Sequence, residues 1–468
     1  MINFTASYTD HYELTMAYSY FEKNRHNERA VFDYSFRRLP FDGGYAIFAG
    51  LDNLLDILEN LKFDSKDLSF LSQVGFSKRF IDFLKDFRFT GNIYSCLEGE
   101  VVFPTSPILQ VEGNIIETQI IETILLNILN FQTLIATKAS RMRQVAGNRQ
   151  LIDFGLRRAQ GVGGYHASRA AFIGGFNSTS NVRAGRDFGI PVSGTMAHSF
   201  VQSYDDELTA FRDFVITHPN DSVLLVDTYN TLQIGMPNAL KVGKEMETKG
   251  HKLKGIRLDS GDLAYLAKES RKMLDDAGLN YVKIAASNQL DEIIIKSLLE
   301  QDAPIDVFGV GTSLVTGHPD GALDGIYKLS SFKGEPRIKI SENIVKTTLP
   351  SRKQVYRFSN SSGQWIGADV VALKDEADIK VIYHPFDPHK KTTVKGCTKT
   401  PLLQKVMEGG KRTTKSLSLD EIHSYSSERL ALLPTEYKRF ENPHVYRVGI
   451  SEELKKQRDA LIVSHRDQ

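Results

Sequence analysis

GIRLDSGDL, residues 255–263, is a short apolar run that ends in a crowd of charge, with Arg257, Asp259 and Asp262 around Ser260 and Gly261. Five other stretches share the form: QLIDFGLRR (150–158), IPVSGTMAH (190–198), SVLLVDTYN (222–230), VKIAASNQ (282–289) and DVFGVGTSL (306–314). Each is followed by a stretch of helical pattern. Short β-branched runs alternating with helices predict parallel strands buried on both faces. Their carboxyl ends carry Asp, Gly, Ser, Thr, Asn or Arg, and that end of an α/β barrel is where ligands bind. The predicted fold class is α/β: an irregular α/β barrel over residues 119–325, with a second α+β domain formed by both chain ends, 1–118 completed by 326–468.

The flanks read differently. DHYELTMAYSYFEKN (10–24) and GLDNLLDILENL (50–61) predict helices, RAVFDYSFRRLP (29–40) a strand, and EGEVVFPTSPILQVEGN (98–114) alternating strands broken by Gly and Pro. RIKISE (337–342), QVYRFS (354–359), ADVVALK (368–374) and IKVIYHP (379–385) predict strands ahead of a charged helical tail. The most apolar segment, IIETILLNILNFQTLIAT (120–137), is interrupted by Glu122, Asn127, Asn130 and Gln132. Its apolar residues form one broad face of a buried helix, not a membrane span.

Composition narrows the function classes. The 58 Lys and Arg nearly cancel 57 Asp and Glu, so no global field favours nucleic acid or an anionic membrane, and any anion must be held locally. Two cysteines, Cys96 and Cys397, exclude a disulfide framework and a Cys-rich zinc site, which fits a cytoplasmic location. The first residues have no basic region followed by an apolar stretch, so no secretory signal is read there.

Common nucleotide loops fail: GVGGYH (161–166) lacks the last glycine of G-x-G-x-x-G, and EGGKRTT (408–414) lacks the leading glycine of a P-loop. YHPFDPHKK (383–391) has loose, proline-rich spacing and reads as a solvated loop rather than a metal site. The cluster at 255–263 is more informative. Asp259 or Ser260 could cap the following helix, but capping needs neither the arginine nor both acids. Paired carboxylates there suit ribose hydroxyls or a Mg²⁺ bridging pyrophosphate oxygens. Arg257 suits a carboxylate or phosphate. Gly311 and Thr312 offer backbone N–H groups to phosphate at a late strand end.

Six stretches together, TDHYELTMAYSYF (9–21), DFGLRRAQG (153–161), FIGGFNSTSNVRAG (172–185), VSGTMAHSFV (192–201), LLVDTYNT (224–231) and IRLDSGDL (256–263), resemble the nicotinate phosphoribosyltransferase family, in order and over nearly the whole chain. The resemblance implies the type II phosphoribosyltransferase fold and an ATP-assisted transfer of phosphoribosyl from phosphoribosyl pyrophosphate to nicotinate. It implies that His198 becomes a phosphohistidine, with Asp227 as the carboxylate that orients it. It also implies that Tyr12 and Phe154 stack on the pyridine ring, while Arg157 and Arg257 take phosphate or carboxylate oxygens. Asp259 and Asp262 are expected on the ribose and Mg²⁺ side, with Asp10 and Ser199 in the binding set. Gly311, Thr312 and Asn288 are expected on the phosphate side. The expected assembly is a homodimer with shared sites, in which Asp10 and Tyr12 act on the partner's barrel.

Two rivals remain. A nicotinamide-specific cousin is expected to carry an aspartate where this chain has Asn181, and a carboxylate there would repel nicotinate. A decayed, non-catalytic barrel would be expected to have lost the His198, Asp227 and Asp259 combination, and all three are present.

Overall fold

The structure, a computed structural model, describes residues 4–343, 346–376, 378–387, 389–413 and 415–466. The chain divides into two compact units, 1–137 with 322–468, and 138–321. The expected boundaries at 118 and 325 differ from this division. Ile120, Ile121, Ile124, Leu125, Ile128, Leu129 and Leu134 are buried in the core of the first unit, which carries that unit well into the helix Glu122–Ala146. Among the described residues one stretch, Ile115–Ala146, is long and apolar enough to cross a membrane, and 72% of its most apolar window is buried.

The first unit is built on a seven-stranded sheet whose centre is antiparallel: Gly325–Phe332 beside Arg29–Phe36, then Leu109–Asn114 and Asn92–Ser95. A second sheet of six strands centres on Trp365–Leu373, flanked by Lys353–Ser359 and Arg447–Ile450. The predicted helices occur at His11–Glu22 and Leu51–Asn60, and the tail forms Leu419–Leu432 and Glu452–Arg466. RIKISE is a correction. Residues 337–342 form no strand, and the Lys339 backbone instead bonds Thr348. In YHPFDPHKK, Pro388 lies outside the described residues, as does Thr414 of EGGKRTT.

The second unit carries a six-stranded parallel sheet in the order Ser178–Thr179, Gln150–Asp153, Val307–Val310, Lys283–Ser287, Gly255–Leu258 and Val223–Leu225. IPVSGTMAH was expected as a further strand. It contributes one parallel bridge, Val192 to Thr179, because its Ser-Gly-Thr run leaves the ladder at once.

Both faces of these strands are largely buried, as expected, and the two faces differ in what they pack against. One phase of each strand (Leu151, Leu224, Ile256, Ile284, Phe308) is fully buried. The other phase (Ile152, Gly255, Arg257, Ala285, Ser287, Gly309) lines a cavity of about 1240 Å³. Glycine and alanine at these inward positions leave the volume that larger side chains would fill in a packed barrel core.

Candidate active site

The expected residues of the second unit meet where the strands end. Phe154 follows Gln150–Asp153, Arg257 and Asp259 close Gly255–Leu258, Ser287 ends Lys283–Ser287, and Asp227 follows Val223–Leu225. His198 opens a short helix, His198–Gln202.

Arg257 organises the inner wall. Its Nε donates to Ser287 Oγ at 2.8 Å, Nη1 to Thr195 Oγ1 at 3.1 Å, and Nη2 lies 3.1 Å from Asp259 Oδ1. Its guanidinium stands 5.3 Å from the centre of the Phe154 ring. The ring can sit there because of Gly309, where an added Cβ would lie 2.4 Å from Phe154 Cε2.

Asp227 is buried. Its Oδ2 accepts from the Asp259 backbone N–H at 2.9 Å and from Ser260 Oγ at 2.5 Å, and its Oδ1 has no hydrogen-bond partner. The expected hydrogen bond from His198 to Asp227 is not made. Asp227 Oδ1 and Asp259 Oδ2 lie 4.0 and 3.8 Å from His198 Nε2, within ion-pair range only. The ring's near contact is Nδ1 to Thr228 Oγ1 at 3.1 Å. Two carboxylate oxygens facing Nε2 favour a proton on that nitrogen.

Other expected residues have local tasks. Asp262 is the N-cap of the helix Leu263–Asp276, accepting from Tyr265 N at 3.1 Å, so the capping reading set against Asp259 and Ser260 falls to their neighbour. Arg157 and Ser199 are exposed, in the turn Leu156–Arg158 and in the first turn after His198. Asn288 (φ 101°) and Gln289 (φ 46°) are consecutive residues in the left-handed region, a strain of about 1–3 kcal/mol each that clusters at functional sites. Gly311 and Thr312 begin the single turn Thr312–Val315.

Asn181 is buried. Its Oδ1 caps the helix Val182–Phe188 through Ala184 N, and its Nδ2 donates to Gly164 O and Ser168 Oγ. Asp10 and Tyr12 belong to the first unit, where Tyr12 is 49% exposed.

Sequence reasoning did not single out Thr195, Thr228 or Ser287, although all three stand in strand-end stretches it marked. It also missed Asp153, one residue before the ring. Asp153 accepts from Gly155 N, Ser168 Oγ and Thr179 Oγ1 at 2.7–2.8 Å, while burial raises its carboxyl above the usual range. Among the described residues no cluster of three or more His, Cys, Asp or Glu forms a metal cage. A magnesium ion that keeps its waters needs only one or two carboxylates plus substrate phosphates, and Asp259 Oδ2 beside the unpartnered Asp227 Oδ1 fits that demand.

Three family models match the chain: the nicotinate phosphoribosyltransferase N-terminal domain over residues 8–130, the family itself over 149–379, and its C-terminal domain over 352–458. The chain is 46% identical to nicotinate phosphoribosyltransferase of Bacillus subtilis, covering 95% of this chain and 93% of that protein. It is 33% identical to the Mus musculus protein of the same name, over 97% and 96%. Its structure resembles the crystal structure of human nicotinic acid phosphoribosyltransferase with TM-score 0.86 and 30% identity, over 97% and 99% of the two chains.

Proposed function

Because the chain belongs to the nicotinate phosphoribosyltransferase family, we propose that it transfers 5-phosphoribosyl from phosphoribosyl pyrophosphate to nicotinate, releasing pyrophosphate and forming nicotinate mononucleotide for NAD biosynthesis. The observation that carries the reading is the convergence, at the carboxyl ends of neighbouring strands, of the Phe154 ring, the Arg257 fork and two carboxylate oxygens within 4.0 Å of His198 Nε2.

As pyrophosphate leaves, ribose C1 becomes cationic, and the protein must hold the pyridine nitrogen in line and keep water out. Phe154 offers one flat face to the base. The Arg257 hydrogen bonds to Ser287 and Thr195 stiffen the wall behind it, and the guanidinium beside Asp259 sets the ribose side. Arg157, exposed in the turn that follows the strand Gln150–Asp153, takes a substrate anion, and Asn288, Gly311, Thr312 and Ser199 serve phosphate. Asp259, with Asp227 nearby, would hold Mg²⁺, which when bound would neutralise charge on the leaving pyrophosphate, whereas Asp262, expected beside Asp259, is engaged as a helix cap.

ATP drives the cycle by phosphorylating His198. A proton on Nε2, facing Asp227 and Asp259, leaves the Nδ1 lone pair as the nucleophile once Thr228 turns aside. Cytoplasmic location completes the reading. The test is labelled nicotinate or nicotinamide with phosphoribosyl pyrophosphate and Mg²⁺, with and without ATP. Formation of the mononucleotide from nicotinate, stimulated by ATP, is expected, and turnover of nicotinamide alone overturns the assignment.

Gly309→Ala should raise the KM for nicotinate about tenfold or more, because the new methyl takes the volume of the Phe154 ring. An unchanged KM would mean that the ring has no part in binding.

The working unit is a homodimer with shared sites. Large apolar side chains are exposed in the segments that follow the strands: Leu156, Val182, Tyr229, Ile234 and Tyr265, at 41–69%. Such a ring of apolar surface suits a covering partner, and Tyr8 and Tyr12 of the first unit are exposed in turn. Mixing Tyr12→Ala with Arg257→Ala after mild dissociation should restore activity, since each heterodimer regains one intact site. Activity that stays at the parents' level sinks the shared-site model.

A further inference from the structure

The polar residues that interrupt the apolar helices around residue 120 follow a pattern. Gln119, Glu122, Thr123 and Asn127 recur at three- and four-residue spacing and therefore fall on one line. The N-terminal segment hangs from that line. Thr9 Oγ1 donates to Ile120 O at 3.1 Å, Thr123 Oγ1 to Asp10 Oδ2 at 2.7 Å, and Tyr8 to Asn127 Oδ1 at 3.4 Å. The Tyr12 hydroxyl donates to Glu122 Oε1 at 3.4 Å, and the Gln119 amide donates to Glu13 Oε2 at 2.5 Å and Glu122 Oε2 at 3.3 Å.

Glu13 is the anomaly. It is 0% exposed on the first helix, and its Oε1 has no hydrogen-bond partner. The cation of the cluster is Lys328, whose Nζ lies 3.7 Å from Glu122 Oε1. Two carboxyls against one ammonium leave a buried negative charge unless one carboxyl holds a proton.

We propose that Glu122 and Glu13 are positioning residues for Tyr12, tethering its hydroxyl so that the exposed ring is presented to nicotinate, and that the tether requires Glu13 in its protonated form. The proposal rests on the reading of Tyr12 as the ring that covers the base. Burial foremost, then the Glu122 and Asp10 charges, lift the Glu13 carboxyl to about 7, with the nearby Tyr12 hydroxyl and the hydrogen bond from Gln119 opposing. Glu122 is raised too, by burial, with Lys328 opposing. The other groups facing the cluster are Tyr327, whose hydroxyl donates to Thr118 O, and Asp33, which pairs with Lys353. Below about pH 7 Glu13 is neutral; above it, Glu13 ionises against Glu122 and Asp10 and the cluster repels itself.

The experiment measures KM for nicotinate from pH 6 to 8.5, with thermal melting alongside. Wild-type KM should climb above pH 7, and the climb should vanish in Glu13→Gln and in Tyr12→Phe. Glu122→Ala should raise KM about three- to tenfold at pH 6.5, the scale of one hydrogen bond, with kcat little changed, and Glu122→Gln should restore most of it by keeping an acceptor. Adding Glu122→Ala to Tyr12→Phe should cost nothing further. Additive losses in the double variant, or the same alkaline climb in Tyr12→Phe, would overturn the tether. Should Glu122→Ala not fold, the Tyr12→Phe profile decides alone. Tyr12→Ala with unchanged KM would instead overturn the stacking role of Tyr12 itself.

Discussion

His198→Ala should abolish protein phosphorylation and reduce ATP hydrolysis to background, while a slow ATP-independent transfer survives. The imidazole stands beside Thr228 with two carboxylate oxygens within 4.0 Å of Nε2, a setting for a nucleophile and not for contact with ribose C1. On the proposed reading this imidazole is the group that ATP phosphorylates, so its removal removes the covalent route. Ring, fork and ribose-side carboxylate remain, so nicotinate and phosphoribosyl pyrophosphate still meet in the cavity. The two halves are read separately, by labelled phosphate transfer to protein and by mononucleotide formation without ATP. Full ATP turnover in the variant would refute the role given to His198, and loss of the ATP-independent reaction as well would place the histidine in the transfer step.

The second large effect lies in the first unit and concerns stability. Arg357 is fully buried and bonds Asp369 with both Nε (3.0 Å) and Nη2 (2.8 Å). Its Nη1 donates to Glu100 Oε1 at 2.7 Å, and Nη2 also donates to Val101 O at 2.8 Å. Its guanidinium lies 4.2 Å from the Trp365 ring. Glu100 is shared with Arg429 and Tyr425, and Asp369 with Tyr446, so one network joins the strands Lys353–Ser359 and Trp365–Leu373 to the helix Leu419–Leu432.

Arg357→Ala leaves two buried carboxylates short of a cation and should destabilise this unit by about 3–5 kcal/mol, the range for removing one partner of a buried pair. Arg357→Lys keeps the charge, loses the two-pronged geometry, and should fall between. Trp365 is the only tryptophan, so its emission in a urea titration reports this unit directly. By contrast Lys78–Asp82 is as short, at 2.7 Å, but its side chains are 88% and 61% exposed, and Lys78→Ala should shift stability by well under about 1 kcal/mol. A small effect at Arg357 would mean that the unfolded chain or a rearranged core compensates the loss.

Much of the site is local in origin and was therefore legible. Phe154, Asp227, Arg257 and Asp259 each sit within two residues of the end of a short apolar run, and parallel pairing brings those ends to one edge whatever the intervening helices contain. The alternation that buries Leu224 and Ile256 while turning Arg257 and Ser287 inward is a period of two written in the sequence.

What the residues could not decide alone were the partnerships. Whether Asp259, Ser260 or Asp262 caps a helix is a competition among near neighbours, settled in favour of Asp262 once Asp227 had engaged Asp259 N and Ser260 Oγ from another strand. Asn181, read in the sequence as a specificity position, is also a buried cap whose amide bonds Ala184, Gly164 and Ser168, a task its sequence neighbours did not reveal. Glu122 read as a break in an apolar helix; only the folded first unit brings Tyr12, Gln119 and Lys328 around it. The existence of the strands and the placing of charged and small residues at their ends follow from short-range pattern and were determined by the sequence itself, whereas the order in which they pair, Gln150–Asp153 beside Val307–Val310 for example, was not. Hydrogen-bond partners and buried charge balance depend on segments hundreds of residues apart, and those the tertiary structure alone decided.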